Sequence, residues 1–384
     1  MPDCTRIIPQ PLPVRVLHVY KSSYRQSHGG IENALRQMIH SSNALGIQNT
    51  MLFIGEAAPG DSGKADTRAL PCAPSFVWDS LSFSRTMFER FKSMVNDHDI
   101  VHYHFPFPQQ DIMHLWVKPR IPSVLTYHSD ILRQRFLYTL YQPLLKRFLS
   151  HVDVIVATSG NYMASSRVLQ RFKNKVCIIP LGLDQQFYPE AGTIALKSWE
   201  SRVGREFFLF IGVMRYYKGL DILLGAASKT DQRFVIAGTG PLQARLQSKT
   251  RRLGLQNVTF AGAVSETDKA ALLHLCRAVV FPSHLRSEAF GLTLVEGAMF
   301  GRPLISCDIG TGTSFINQHN HTGLVVKGGD PDALLGAVEL LACNPDLAET
   351  YGQNARKRYL ALFTARMQAE KYARLYGRLL GMSL

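Results

Sequence analysis

Short apolar runs alternate along this chain with longer amphipathic stretches, and that rhythm narrows the fold more than any other feature. The runs at 14–20, 50–54, 100–104, 123–127, 152–158 and 176–179 read as strands. Between them, helical spacing is found at 31–45, 80–95, 132–149 and 162–169. Strands separated by helix-length segments are joined by crossovers, which makes them parallel members of an α/β sheet. The rhythm breaks at 180–205, where two prolines, several glycines and scattered charges leave no clean period, and this stretch reads as a linker. A second alternation follows. Its strands are at 207–211, 234–237, 258–261, 278–281 and 303–307. Its helices are at 220–227, 242–253 and 268–275, with another opening near Leu292. Helical patterns at 332–342, 345–362 and 365–380 finish the chain. The expectation is two open, doubly wound α/β domains. Ligands would lie beyond the carboxyl ends of their strands, in a cleft between facing domains.

Length agrees with that division, since 384 residues exceed what one hydrophobic core usually organises. Hydrophobic residues at 46% and charged residues at 19% exclude extensive disorder. The net charge of +14 is spread over both halves: 20 basic against 14 acidic residues through Glu190, and 23 against 15 beyond it. A basic surface favours anionic partners, whether phosphorylated substrates, nucleic acid or an acidic membrane. The six cysteines show no metal or redox spacing and read as reduced thiols of a cytosolic protein. The proline-broken N-terminus has no apolar signal core, and no uncharged apolar run approaches the roughly 18 residues of a membrane span. A membrane role would therefore be peripheral.

The chemistry concentrates in Ser287-Glu288-Ala289-Phe290-Gly291-Leu292-Thr293-Leu294-Val295-Glu296-Gly297-Ala298. A strand ending at Phe281 leads into this polar loop, and a helix begins near Leu292, with Leu292, Val295 and Met299 as its expected buried stripe. The helix's free amides and dipole make a seat for a diphosphate, and Gly291 permits close approach of backbone. A carboxylate such as Glu288 or Glu296 beside a phosphate is unfavourable unless it binds hydroxyls, which sugars and ribose supply. A second element, Gly212-Val213-Met214-Arg215-Tyr216-Tyr217-Lys218-Gly219, follows the first strand of the same domain. Its two cations are placed to neutralise a diphosphate leaving group as charge develops. In the first half, Tyr127-His128-Ser129-Asp130 follows a strand, and Gly29-Gly30 precedes the first helix and offers amides to an anion.

These residues resemble the retaining glycosyltransferases of the GT-B class often called family 4, in which one glutamate and a second are separated by seven residues. The resemblance spans essentially the whole chain. It implies an α/β GT-B fold of two Rossmann-like domains facing across a cleft. Residues 1–185 would form the acceptor-binding domain and 205–362 the nucleotide-sugar-binding domain. Residues 363–384 would form a helix crossing back to the first. The resemblance further implies that Glu288 contacts the transferred sugar, Glu296 grips the ribose, and Arg215 and Lys218 hold the diphosphate. The backbone of Phe290, Gly291, Leu292 and Thr293 would meet sugar hydroxyls and the distal phosphate. His128 would lie near the sugar in a positioning role; Gly30 would serve the donor, and Gly29 and Asp130 the acceptor. Most members carry the arginine directly after the strand's glycine, where this chain has Val213; Arg215, two residues on, shares its face. No metal or cofactor is implied, and retention is expected by front-face displacement, the leaving phosphate assisting deprotonation of the acceptor.

Within the family, YHSDI, VMRYYKGL and LISCDIGTGTSFIN are most similar to bacterial mannosyl- and rhamnosyltransferases of lipopolysaccharide O-antigen assembly. That similarity implies a GDP-linked donor, a polyprenyl-diphosphate-linked glycan acceptor, peripheral contact with an anionic membrane at the cytoplasmic face of the inner membrane, and no nucleic acid. A UDP-sugar transferase of another surface glycan, a nucleotide-sugar epimerase or hydrolase on the same architecture, and a non-enzymatic basic binding protein are the alternatives. Several other signals read as structural. Asp97-His98-Asp99 precedes a strand and is a turn; Asp330-Pro331-Asp332 caps a helix. His102 and His104 share a strand face, with no third metal ligand evident. Gly238-Thr239-Gly240 lacks the third glycine of a dinucleotide loop. The basic, aromatic segment 133–149 reads either as a membrane-docking surface or as a half-buried helix broken near Pro143.

Overall fold

In the computed structural model, residues 14–22, 30–55, 67–78, 81–131 and 135–382 are described. The first sheet comprises β1 (Arg15–Tyr20), β2 (Gln48–Ile54), β3 (Thr67–Cys72), β6 (Ile100–Phe105), β7 (Ser123–Tyr127), β8 (Val154–Ala157) and β9 (Val176–Ile178). A two-stranded antiparallel ribbon of β4 (Phe76–Trp78) and β5 (Leu81–Phe83) stands apart. The seven strands are parallel, in the order β3-β2-β1-β6-β7-β8-β9. The second sheet holds β10 (Phe208–Ile211), β11 (Phe234–Ala237), β12 (Val258–Gly262), β13 (Ala278–Phe281), β14 (Leu304–Asp308) and β15 (Gly323–Lys327), in the order β12-β11-β10-β13-β14-β15. In each sheet the first strand lies inside, two strands are added on one side, and the chain then crosses to the other. The switch falls at β1/β6 and at β10/β13, where doubly wound sheets open a crevice beyond their carboxyl ends.

The central strands are buried on both faces, and they therefore read as continuous apolar runs. Around the second sheet, Phe208, Phe210, Phe234, Ile236 and Val280 pack against Leu223 and Leu224 of one helix and Leu334 and Val338 of another. The first unit's core includes residues from the far end of the chain. Helix Ala365–Leu379 buries Ala369, Tyr372, Ala373 and Tyr376 along one stripe. The Tyr372 hydroxyl is 2.7 Å from Thr126 Oγ1, the Tyr376 hydroxyl is 2.7 Å from His102 Nδ1, and Gln368 accepts a bond from the Gly182 amide.

Contacts divide the chain into two units. One contains the chain to Thr158, Ser166–Gly182 and Ala365–Leu384; the other contains Ser159–Ser165 and Leu183–Thr364. Residues 159–165 thus depart from the expected 1–185 domain, because Asn161 bonds Ser314 and Ser165 bonds the Gly310 carbonyl. The expected linker contains helix Thr193–Val203, held where Trp199 donates its indole N–H to Asp268. Helix Pro108–Val117 has no apolar period because it buries polar groups: Gln109 bonds both the amide and the carbonyl of Ser84. Helix Arg135–His151 runs through Pro143 unbroken, anchored by buried Leu145, Phe148 and Leu149 and by the bond from Tyr141 to Asp111. Residues 133 and 134 lie outside the described residues. Among those described, no helix is long and apolar enough to cross a membrane.

The core of the first sheet is unusual in carrying imidazoles. His18 on β1 and His102 and His104 on β6 are buried, as is His128 just beyond β7. Burial disfavours their charged forms, lowering His18 to about 4 and His128 to about 3, with His102 and His104 well below the ordinary value. Unfolded imidazoles take up protons near pH 6.5, so protons in this window favour the unfolded chain. The stability contributed by keeping these rings neutral should be present in full above about pH 7 and be lost as the pH falls from 6.5 towards 4. Urea midpoints measured from pH 8 to pH 4 should decline through that window. A midpoint held constant down to about pH 5 would contradict neutral, buried histidines.

Candidate active site

At the switch of the second sheet, the segments following β10 and β13 are joined into one structure. Gly219 occupies the left-handed region at φ +70°, and a Cβ there would fall 1.9 Å from the Pro282 carbonyl oxygen. Only glycine meets both demands. The His284 amide donates to the Tyr217 carbonyl at 3.1 Å, and the Tyr216 and Ser287 hydroxyls lie 3.0 Å apart. Lys218 Nζ donates to Glu288 Oε2 at 2.5 Å, each side chain being 12% exposed. The ammonium also sits 4.6 Å from the centre of the Phe281 ring. The two sequence elements that resembled a donor site therefore meet through their charged groups. On the other flank, Met214 and Leu242 bond the β10 segment to that after β11.

Glu288 leads into helix Leu292–Met299, whose N-cap is Gly291 at φ +95°. The Leu294 amide bonds the Gly291 carbonyl, while those of Leu292 and Thr293 have no preceding turn to pair with. Thr293 Oγ1 donates to the last carbonyl of β10, at Ile211, fixing the helix start against the strand end. The helix is buried nearly all round, at Leu294, Val295, Gly297, Ala298 and Met299. Leu292 is half-buried instead of belonging to the expected stripe. It stands at the first turn, where the helix emerges. At Gly297 a Cβ would meet Leu304 and Val279 at 2.8 and 2.9 Å, so the helix lies directly on β13 and β14. Phe290 is buried against Phe363 and Gly312.

Glu296, also buried, accepts bonds from the Tyr188 hydroxyl at 2.9 Å and from Lys269 Nζ at 3.0 Å. Burial alone would lower the Lys269 ammonium, but the carboxylates of Glu296 and Glu266 outweigh it and raise the group above the ordinary lysine value. Arg215 is exposed, as is Val213, on either side of buried Met214, which agrees with a shared face.

In the first unit, the Asp130 carboxylate accepts from the Tyr127 and Ser166 hydroxyls at 3.0 and 2.7 Å, bracing the loop after β7. Gly30 is the exposed first residue of helix Gly30–Asn43; Gly29 lies outside the described residues. His128 Nε2 is 3.2 Å from His104 Nδ1, and His104 Nε2 is 3.2 Å from His18 Nδ1. His18 supplies the third imidazole that the sequence did not reveal beside His102 and His104, their ring nitrogens lying within 4.8 Å of one another. Those nitrogens are engaged in hydrogen bonds, with Asn49, Thr126 and Tyr376 as further partners.

Known proteins match this chain along its length. Residues 194–358 fit the family described as Glycosyl transferases group 1, and residues 28–187 fit Glycosyltransferase Family 4. The chain is 46% identical to O-antigen chain mannosyltransferase C of Escherichia coli, over 96% of this chain and 99% of that one. It is 47% identical to D-rhamnosyltransferase WbpZ of Pseudomonas aeruginosa, over 92% and 93%. The chain belongs to the family 4 glycosyltransferases. Its fold is GT-B: sucrose-phosphate synthase from Thermosynechococcus elongatus superposes with a TM-score of 0.81 at 21% identity, covering 96% of this chain and all of that one.

Tyr188 and Lys269, which bond the candidate residue Glu296, are contacts that sequence reasoning missed. Tyr188 lies in the presumed linker. Lys269 follows a capping box in which Ser265 and Asp268 satisfy each other's amides, and that Ser-x-x-Asp spacing was the available signal. Removing one partner of a buried ion pair strands the other charge. Lys269→Met should therefore lower unfolding stability by about 3 kcal/mol, and the double variant Lys269→Met/Glu296→Gln should recover a substantial part. Urea denaturation at pH 7 measures both, and strictly additive losses would contradict the coupling.

Proposed function

We propose that this glycosyltransferase moves a hexose of the mannose or rhamnose type from a GDP-sugar to a polyprenyl-diphosphate-linked glycan in O-antigen synthesis, with retention of anomeric configuration. The observation that carries the reading is the Lys218–Glu288 pair at the β10/β13 switch, beside the amino end of helix Leu292–Met299. Lys218 has three N–H donors, of which Glu288 takes one, leaving donors for a diphosphate. Arg215 and the Leu292 and Thr293 amides add positive potential where leaving-group charge develops. Glu288, oriented by Lys218 and Ser283, meets the transferred sugar, and Glu296, held by Tyr188 and Lys269, accepts from ribose hydroxyls. The backbone from Phe290 to Thr293 serves the sugar and the distal phosphate, and Gly30 the donor. His128 positions the sugar; Asp130 and Gly29 serve the acceptor, bound by the first unit as the second binds the donor.

The leaving phosphate takes the acceptor proton on the same face, so the scheme uses no metal or cofactor. The mannosyl- and rhamnosyltransferase relatives support the sugar class and the O-antigen setting. The +14 charge supports anionic partners, here a lipid diphosphate and the cytoplasmic face of the inner membrane, approached peripherally and without nucleic acid. With GDP-mannose, GDP-rhamnose, UDP-glucose and UDP-N-acetylglucosamine offered beside lipid-linked acceptors, acceptor-dependent nucleotide release should be fastest with a GDP donor, and the product linkage should keep the donor's anomeric form. Glu288→Gln should lower kcat about 10²–10³-fold, whereas Glu296→Gln should mainly raise donor KM. Nucleotide release independent of acceptor, or indifferent to Glu288, would contradict the proposal.

A further inference from the structure

The hydrogen bonds behind His128 run in one direction. Asn49 Nδ2 faces three acceptors, Ser42 Oγ at 2.9 Å, Asn43 Oδ1 at 2.6 Å and the Ile47 carbonyl at 3.2 Å, so Oδ1 is the atom 2.9 Å from His18 Nε2. His18 must carry its proton on Nε2 to meet that carbonyl oxygen. A neutral imidazole has one N–H, which leaves His18 Nδ1 as an acceptor. His104 then donates from Nε2 to His18 and accepts at Nδ1; His128 donates from Nε2 to His104. The rings fit this order end to end. Successive centroids are 5.5 and 5.4 Å apart with planes 21° from parallel, which accommodates N–H···N bonds in the ring planes. The series ends at His128 Nδ1, which is buried and has no hydrogen-bond partner among the described residues.

We propose that Asn49, His18 and His104 act in series as positioning residues that lock His128 in its Nε2–H tautomer and leave Nδ1 as an acceptor for a hydroxyl of the transferred sugar. The last element rests on the proposed role of His128; the tautomer itself does not. Burial keeps the series neutral, since a charge at any member would be desolvated. His102 stands outside the series, its nitrogens bonded to Tyr376 and Thr126. An acceptor nitrogen selects for a ligand group that donates, so a hydroxyl fits and an ether or carbonyl oxygen does not.

The test is ¹⁵N-imidazole correlation spectroscopy on the full chain at pH 8, which separates N–H from lone-pair nitrogens, with signals assigned by single histidine substitutions. His18, His104 and His128 should all appear as Nε2–H tautomers, and Asn49→Leu should convert all three to mixtures that Asn49→Asp does not show. His104→Phe and Asn49→Leu should each lower kcat about tenfold or more with donor KM little changed. A His128 signal with Nδ1 protonated overturns the relay whatever the reaction proves to be. So does a shift of the His18, His102 and His104 signals together on adding Zn²⁺, which would make the cluster a metal centre. A relay intact in the spectra beside unchanged kcat in His128→Phe would instead remove His128 from the sugar site.

Discussion

The organisation of the candidate donor site depends on the contact between two loops that the sheet topology brings side by side. Because the chain reverses its direction of growth between β10 and β13, the segments following them emerge as neighbours although about seventy residues separate them in sequence. Gly219 lets their backbones touch, and the Lys218–Glu288 bond fixes the two charges that flank the start of helix Leu292–Met299. A half-buried carboxylate beside a helix amino terminus gains from the dipole and from a cation together. In the function proposed above, the helix amides, Lys218 and Arg215 supply positive potential and Glu288 and Glu296 accept from hydroxyls, which suits a molecule anionic at one point and hydroxylated on both sides of it.

The first unit solves a different problem with the same topology. Its central strands carry buried imidazoles, whereas those of the second unit bury apolar residues such as Leu209, Phe210 and Val279. Each buried ring has to be satisfied by a partner, and partners are drawn from β1, β2, β6, β7 and the last helix of the chain. Tyr376 meets His102 across 274 positions of sequence, so the C-terminal helix is part of the hydrogen-bonding of this core as well as its apolar packing. Polar cores of this kind fix register and side-chain orientation, because a shifted strand would strand several buried donors at once.

Much of this was legible in sequence because doubly buried parallel strands announce themselves as apolar runs, and because the Glu288 and Glu296 segment has a distinctive spacing. The features that escaped share a physical cause. Helix Pro108–Val117 buries glutamines and Asp111, so its inward face has no hydrophobic period. Helix Thr193–Val203 lies between prolines and glycines and buries chiefly Trp199 and Val203, too sparse a stripe to detect. Pro143 suggests a break, but anchoring on both sides overrides the missing donor. Lys218 with Glu288, Lys269 with Glu296, and the series from Asn49 to His128 are pairings across strands and loops. Spacing along a chain identifies the members but not which of them meet.

The central claim is that a sugar nucleotide rests against the amino end of helix Leu292–Met299. A structure of the chain bound to GDP-mannose tests it most directly. The account predicts diphosphate oxygens within about 3.2 Å of the Leu292 or Thr293 amide and of Lys218 Nζ, with Glu296 facing ribose and Glu288 facing the sugar. A nucleotide held by the first unit alone, or a diphosphate with no bond to that helix, would contradict it.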